Sequence, residues 1–297
     1  MKRQLIVTTV ALGIWAAVRA QEKGNYELPP ISYSEAQAND GMAGFRARLT
    51  GGKLNLGTTD TNRWGGWYVT GKHGAALHRG NLLSREKKDR LTADFRSGAN
   101  VTNLSRFFEA REYQSGSSDI VALLVLEHQT AMQNTLTRAS VGSRRMLAYQ
   151  KTLQTELKEP VTEEAVYDSV RSVLDSSARE IVDDLLFLGE AELPEGLEGS
   201  AAFQRAFQAN AHRAADGTSL KDFSLKGRIF KNRCSYLIYS DSLLKLPTQL
   251  KSCVYERLSK ALQGDVPDPR YSYLDGAERA RILAILRETH PEFPARR

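Results

Sequence analysis

From Ile120 to about Leu157 the chain carries no residue that must break a helix, and Pro160 then stops it. Ser117, Ser118 or Asp119 stands where a capping side chain is needed. The spacing predicts one helix roughly 60 Å long at ~1.5 Å per residue, with Gly142 as its weak point. Leu123, Leu124, Leu126, Met132, Leu136, Met146, Leu147 and Leu153 are its expected buried residues. A rod of this length fixes the fold class, because shorter neighbours must lie along it to cover its apolar side.

Such neighbours follow. Thr162, with Glu163 and Glu164 behind it, reads as the start of a second helix, acids sitting at its positive end. Val166, Val170, Val173, Leu174, Ile181 and Leu185 form its apolar stripe, and Gly189 and Pro194 close it. Further helices are predicted over about 200–213, over 236–246, and from Pro247 to near Gly264. Asp216-Gly217 reads as a turn, and Asp275-x-x-Glu278 as a capping box opening the last helix. Residues 118–297 thus read as an α-helical bundle. Residues 21–117 are rich in Gly, Asn, Thr and Ser and lack sustained periodicity; within them 41–49 reads as a short helix and Trp67–Thr70 as strand-forming. The expected architecture is mainly α, a loop-rich N-terminal segment packed on the bundle.

Lys2 and Arg3 precede an apolar run to Val18, and Val18-Arg19-Ala20 is a small-x-small pattern. Residues 1–20 read as a secretory signal peptide cleaved after Ala20, implying a periplasmic or secreted protein. Losing three basic residues and no acid lowers the formal charge from +6 to +3. With no basic cluster beyond pairs such as Arg144-Arg145, nucleic-acid binding is not expected. After cleavage no segment is apolar enough for a stable membrane span.

Chemistry-bearing residues concentrate in RWGGWYVTGKHGAALHRGN, residues 63–81, which holds Arg63, Trp64, Trp67, Tyr68, His73, His78 and Asn81. His73 and His78, with His128 and its neighbour Glu127 on the long helix, supply enough donors for a metal ion, although His-x4-His on a glycine-rich loop has no fixed geometry. Loop-shaping hydrogen bonds account equally for His73 and His78. A helix histidine bonded where the loop segment packs on the bundle accounts for His128. C-x-x-C-H is absent, so covalent haem is excluded; a non-covalent haem would take His128 as axial ligand. No G-x-S-x-G nucleophile turn occurs. Cys234 and Cys253 leave two states open, a disulfide or two unpaired thiols.

Several blocks together resemble a family of exported bacterial proteins described as cytochrome c-like, without an established reaction. They are ELPPI-x-YS at Glu27–Ser34, RWGGWYVTG with His73-Gly74 and His78-x-Gly80-Asn81, and GANVT-x-LS at Gly98–Ser105. SDIVALLVLEHQTAMQN at Ser118–Asn134 and CSYLIYS at Cys234–Ser240 complete the set. Members commonly carry a haem-attachment sequence between the first two blocks and a methionine after the second loop histidine. Here that interval is nearly absent, Arg79 follows His78, and Gln133 stands where a second helix histidine is expected. The resemblance implies a haem-free relative with no cofactor, a binding or accessory component of an envelope redox system with an envelope protein as partner. The other expectations are a periplasmic metal- or histidine-dependent enzyme and a structural envelope protein. The indoles of Trp64 and Trp67 are expected beside His128.

Overall fold

A computed structural model describes residues 70–74, 83–87, 90–94, 100–103, 105, 117, 119–263 and 268–293, the backbone alone over 83–87 and 90–94. The signal peptide, the helix expected over 41–49, and Arg63, Trp64, Trp67, Tyr68, His78 and Asn81 lie outside these residues. The described chain is mainly α-helical, as expected. It divides into two units, residues 1–123 with 191–200, and residues 124–190 with 201–297.

The first unit holds β1 (Lys72–His73), β2 (Leu83–Lys87), β3 (Arg90–Asp94) and β4 (Leu197–Glu198). β2 and β3 form an antiparallel hairpin; β1 pairs antiparallel with β4, His73 opposite Leu197. Thr70 bridges Asp119 in parallel, and its carbonyl accepts from the Ile120 N–H at 2.8 Å. Gly71 has φ +120°, and a Cβ there would lie 2.6 Å from Ile120 Cγ2 and 2.7 Å from the Glu198 carbonyl oxygen. Only glycine fits this crossing, which explains one glycine of the aromatic motif. Asp119 caps the long helix through the N–H groups of Val121 and Ala122, and its other carboxylate oxygen accepts from Ser200 N–H.

The long helix, α1 (Ile120–Glu156), runs unbroken through Gly142. Its inward face repeats about every 3.5 residues, but its chemistry changes along the way. Val125, Met132, Leu136 and Ala139 are buried apolar; Ser143, Gln150 and Gln154 continue the same stripe and are equally buried. Those glutamines explain a correction. The second helix, α2 (Asp168–Leu185), starts six residues beyond Thr162, and its cap residue Tyr167 makes no side-chain cap. The segment before it is held by α1 instead. Gln150 Oε1 accepts from the N–H groups of Val166 and Tyr167, Gln150 Nε2 donates to the Glu164 carbonyl at 2.6 Å, and Gln154 Oε1 accepts from Thr162 N–H.

Both helices end in the same way. Glu159 N–H bonds to the Gln154 carbonyl and Lys158 N–H to that of Thr155, with Lys158 at φ +58°. Leu188 N–H bonds to the Asp183 carbonyl and Phe187 N–H to that of Asp184, with Phe187 at φ +56°. These are Schellman closures in which a non-glycine residue takes the left-handed position.

α3 (Ala201–Gln208) ends five residues before the expected Arg213. An unforeseen hairpin follows, β5 (Phe223–Lys226) and β6 (Arg228–Phe230), turning at Leu225 and Gly227, both with positive φ. The helix expected over 236–246 divides at Ser240 into a 3₁₀ turn, Tyr236–Tyr239, and α4 (Asp241–Leu244), because the Ser240 hydroxyl caps α4 by accepting from Leu243 N–H. α5 (Thr248–Gln263) packs on α2 and on α6 (Gly276–Thr289). The core lies among them: Val170, Leu174, Ile181 and Leu185 of α2, Leu250, Val254 and Leu258 of α5, Ile282 and Leu286 of α6.

Asp275 caps α6 as expected, accepting from Glu278 N–H at 2.7 Å. Glu278 turns inward instead of completing the box. Its side chain is 1% exposed and carries two arginines. Arg233 donates to it from Nη2 at 2.7 Å and from its backbone N–H at 2.9 Å, and Arg228 donates from Nη1 at 3.2 Å. Arg233 also donates to the Tyr273 carbonyl at 2.7 Å and lies over the Tyr273 ring. Truncating one member of such a buried pair strands its partners. Glu278→Ala is expected to lower stability by about 3–5 kcal/mol in urea unfolding, whereas Asp241→Ala, at the exposed pair with Lys245, changes it by less than about 1 kcal/mol.

Glu190 sits beside this network. Burial pushes its carboxyl up to about 7, against the pull of Ile229 N–H, Arg233 and Arg228. Between the ordinary value near 4.5 and about 7 the folded chain keeps a proton that the unfolded chain has lost. Stability contributed by this group is whole below that window and declines as pH rises through it, by roughly 2 kcal/mol given the residue's partial exposure. Glu190→Gln is expected to flatten that part of a stability-against-pH curve; an unchanged slope would refute the assignment.

Candidate functional site

In the first unit, His73 is half-buried on β1, its N–H bonded to Asn100 Oδ1 at 3.4 Å. Its Nε2 is buried and makes no hydrogen bond among the described residues, so the loop-shaping bond weighed for its ring is not formed there. Burial lowers its basicity, Glu195 partly opposing. This leaves a neutral ring as the favoured form.

In the second unit, His128 occupies the inward stripe of α1. Ser235 meets it across 107 residues of chain, Nε2 to Oγ 2.7 Å. Two of the recognised blocks, on α1 and at Cys234–Ser240, thus meet through one hydrogen bond. Ser235 is wholly buried, accepts from Leu237 N–H to cap the 3₁₀ turn, and donates its own N–H to the Leu185 carbonyl at 2.7 Å. The Phe187 ring stacks on the imidazole with centroids 4.4 Å apart. A phenylalanine at positive φ costs roughly 1–2 kcal/mol, and the stacked ring and Schellman bonds hold it there.

Phe230 and Tyr236 meet His128 edge-on at 6.3 and 6.2 Å. Phe207 of α3 and Phe223 of β5 extend the cluster, Phe207 touching Tyr236 edge-on at 5.0 Å and Phe223 stacking on Phe230 at 5.4 Å. Arrangements of this kind add to the area the rings bury. The Tyr236 hydroxyl is buried and faces Gln129 without closing a hydrogen bond of normal geometry. Burial raises its pKa strongly.

Glu127 is half-buried one residue before His128. Gln133, in place of a second histidine, is exposed; it accepts from Ser242 Oγ at 2.9 Å and donates to Thr137. Among the described residues no group of three or more His, Cys, Asp and Glu is arranged to hold a metal ion. Of the two cysteine states, the structure has the unpaired one. Cys234 is fully buried, its thiol pushed up by burial, and Cys253 is half-buried on α5 near Asp175, Arg257 and Glu256.

Sequence reasoning missed Phe187, Phe207, Phe223, Phe230, Lys221 and Arg233, and placed Glu278 only as a helix-start residue. Two signals were present: Phe203 and Phe207 share a helix face, and Phe223 and Phe230 flank a Gly227 turn.

Ser235→Ala removes the partner of a half-buried imidazole and a cap together. It is expected to cost about 2–3 kcal/mol by chemical denaturation, and a cost under about 0.5 kcal/mol would show the contact to be incidental.

No protein-family model, no curated protein and no solved structure matches this chain. The cytochrome c-like resemblance rests on the quoted sequence blocks alone.

Proposed function

We propose that the protein is an exported, haem-free relative of the cytochrome c-like family, a binding component of an envelope redox system. Residues 1–20 and the recognised blocks support export and kinship. The observation that carries the haem-free reading is the use made of His128. Axial ligation needs a free imidazole lone pair aimed at iron. Here Nε2 is 2.7 Å from a buried serine hydroxyl and a ring face is covered by phenylalanine. The residues do not fit a haem iron through that nitrogen. The imidazole that the sequence offers as an axial candidate serves as a packing and hydrogen-bonding group, and the protein's role becomes association with a redox partner of the envelope.

The absorption spectrum of the purified exported chain, taken with elemental analysis, tests this. The expected result is no Soret band and less than roughly a tenth of an equivalent of any transition metal. A Soret band that survives dialysis overturns the haem-free reading. A stoichiometric metal favours the metal-dependent enzyme. Affinity capture from the envelope is expected to retrieve a cytochrome; retrieval of cell-wall components alone favours the structural role.

A further inference from the structure

The aromatic cluster has a second side. Beyond Tyr236 the chain opens into a pocket of about 170 Å³ entirely within the second unit. That is close to the volume of a cavity that holds one benzene ring. Lys221 enters it half-buried, its ammonium 4.8 Å from the Phe207 ring centroid and 5.4 Å from that of Tyr236. Among the described residues its one hydrogen bond runs to the Phe207 carbonyl at 3.3 Å. No carboxylate lies within 4 Å of it among the described residues, and burial alone shifts its pKa, downward.

The other polar groups of the pocket also have capacity to spare. The Ser219 hydroxyl, on a residue 1% exposed, accepts from Lys221 N–H and donates to nothing among the described residues. The Asn210 amide makes no hydrogen bond among them. The His212 ring lies against that of Tyr239, tilted by 30°, with centroids 4.2 Å apart. The nearby acid Asp222 is engaged by Arg213 and by Ser219 N–H. One cation and several donors without a facing carboxylate is the profile of a site for a single negative charge. Leu237 and the tyrosine rings supply apolar walls, which a bare inorganic oxyanion would leave unused.

We propose that this pocket binds a small organic monocarboxylate, its carboxylate on Lys221 Nζ and Ser219 Oγ and its body against Tyr236, Leu237 and Tyr239. The site stands on its own geometry and does not depend on the redox-accessory reading.

The probe is benzoate, titrated into the ¹⁵N-labelled exported chain, with benzamide as its neutral counterpart and inorganic phosphate as a bare oxyanion. Saturable amide shifts centred on Ser219, Lys221, Leu237 and Ser240 are expected, with a Kd on the order of 1 mM or tighter. Benzamide and phosphate are expected to bind at least about tenfold more weakly, and Lys221→Met to weaken benzoate by about tenfold or more while leaving the melting temperature near that of the parent. The wild-type shift map stands as evidence even if that variant misfolds. Absence of saturable shifts, equal binding of benzamide, tighter binding of phosphate, or benzoate binding undiminished in a folded Lys221→Met protein overturns the proposal.

Discussion

The carboxylate of Glu278, shut away from water at the start of the last helix, is the charge around which the segment carrying Ser235, Tyr236 and Tyr239 is arranged. Such a group is tolerable only when its lone pairs are filled, and it takes an arginine head, a backbone N–H and a second arginine. Binding Arg233 by both side chain and backbone fixes where the following residues begin. Cys234 goes inward, Ser235 meets His128, and Tyr236 and Tyr239, three apart on a 3₁₀ turn where such side chains eclipse, face the pocket. The histidine contact and the pocket are two consequences of one anchored segment.

The long helix shows how far the sequence could be read. Its cap, its length and its end near Pro160 followed from Asp119, the unbroken run and the proline. Its inward face was legible only to about Ala139. Beyond that the buried stripe is Ser143, Gln150 and Gln154, and hydrophobic periodicity is silent about polar residues that are buried because they hold a neighbouring loop. The late start of the second helix has the same cause: two glutamines of the preceding helix replaced the local cap that Thr162 had suggested.

The histidine site was legible in one member. His128 was marked by its place in a helix block, but its partners come from a helix end, a hairpin strand and a 3₁₀ turn far along the chain. Phe187 was hidden most completely. Helix ends are read from glycine, and Gly189 was taken as the stop; it does take positive φ, +77°, but the Schellman closure of α2 is made two positions earlier, by the phenylalanine at φ +56°. Glu278 was read correctly as a helix-start residue by its backbone and wrongly by its side chain. A capping box and a buried ion-pair acceptor look alike in one sequence, because the arginines that distinguish them lie 45 and 50 residues away.

Native-state hydrogen exchange tests the dependence on the Glu278 anchor most directly. If that anchor sets the segment, the amides of Arg233, bonded to the buried carboxylate, and Ser235, bonded to Leu185, exchange only with global unfolding, together with the core amides of α2 and α5. Exchange of these two amides through a separate low-energy opening, while the two helices stay protected, would contradict it.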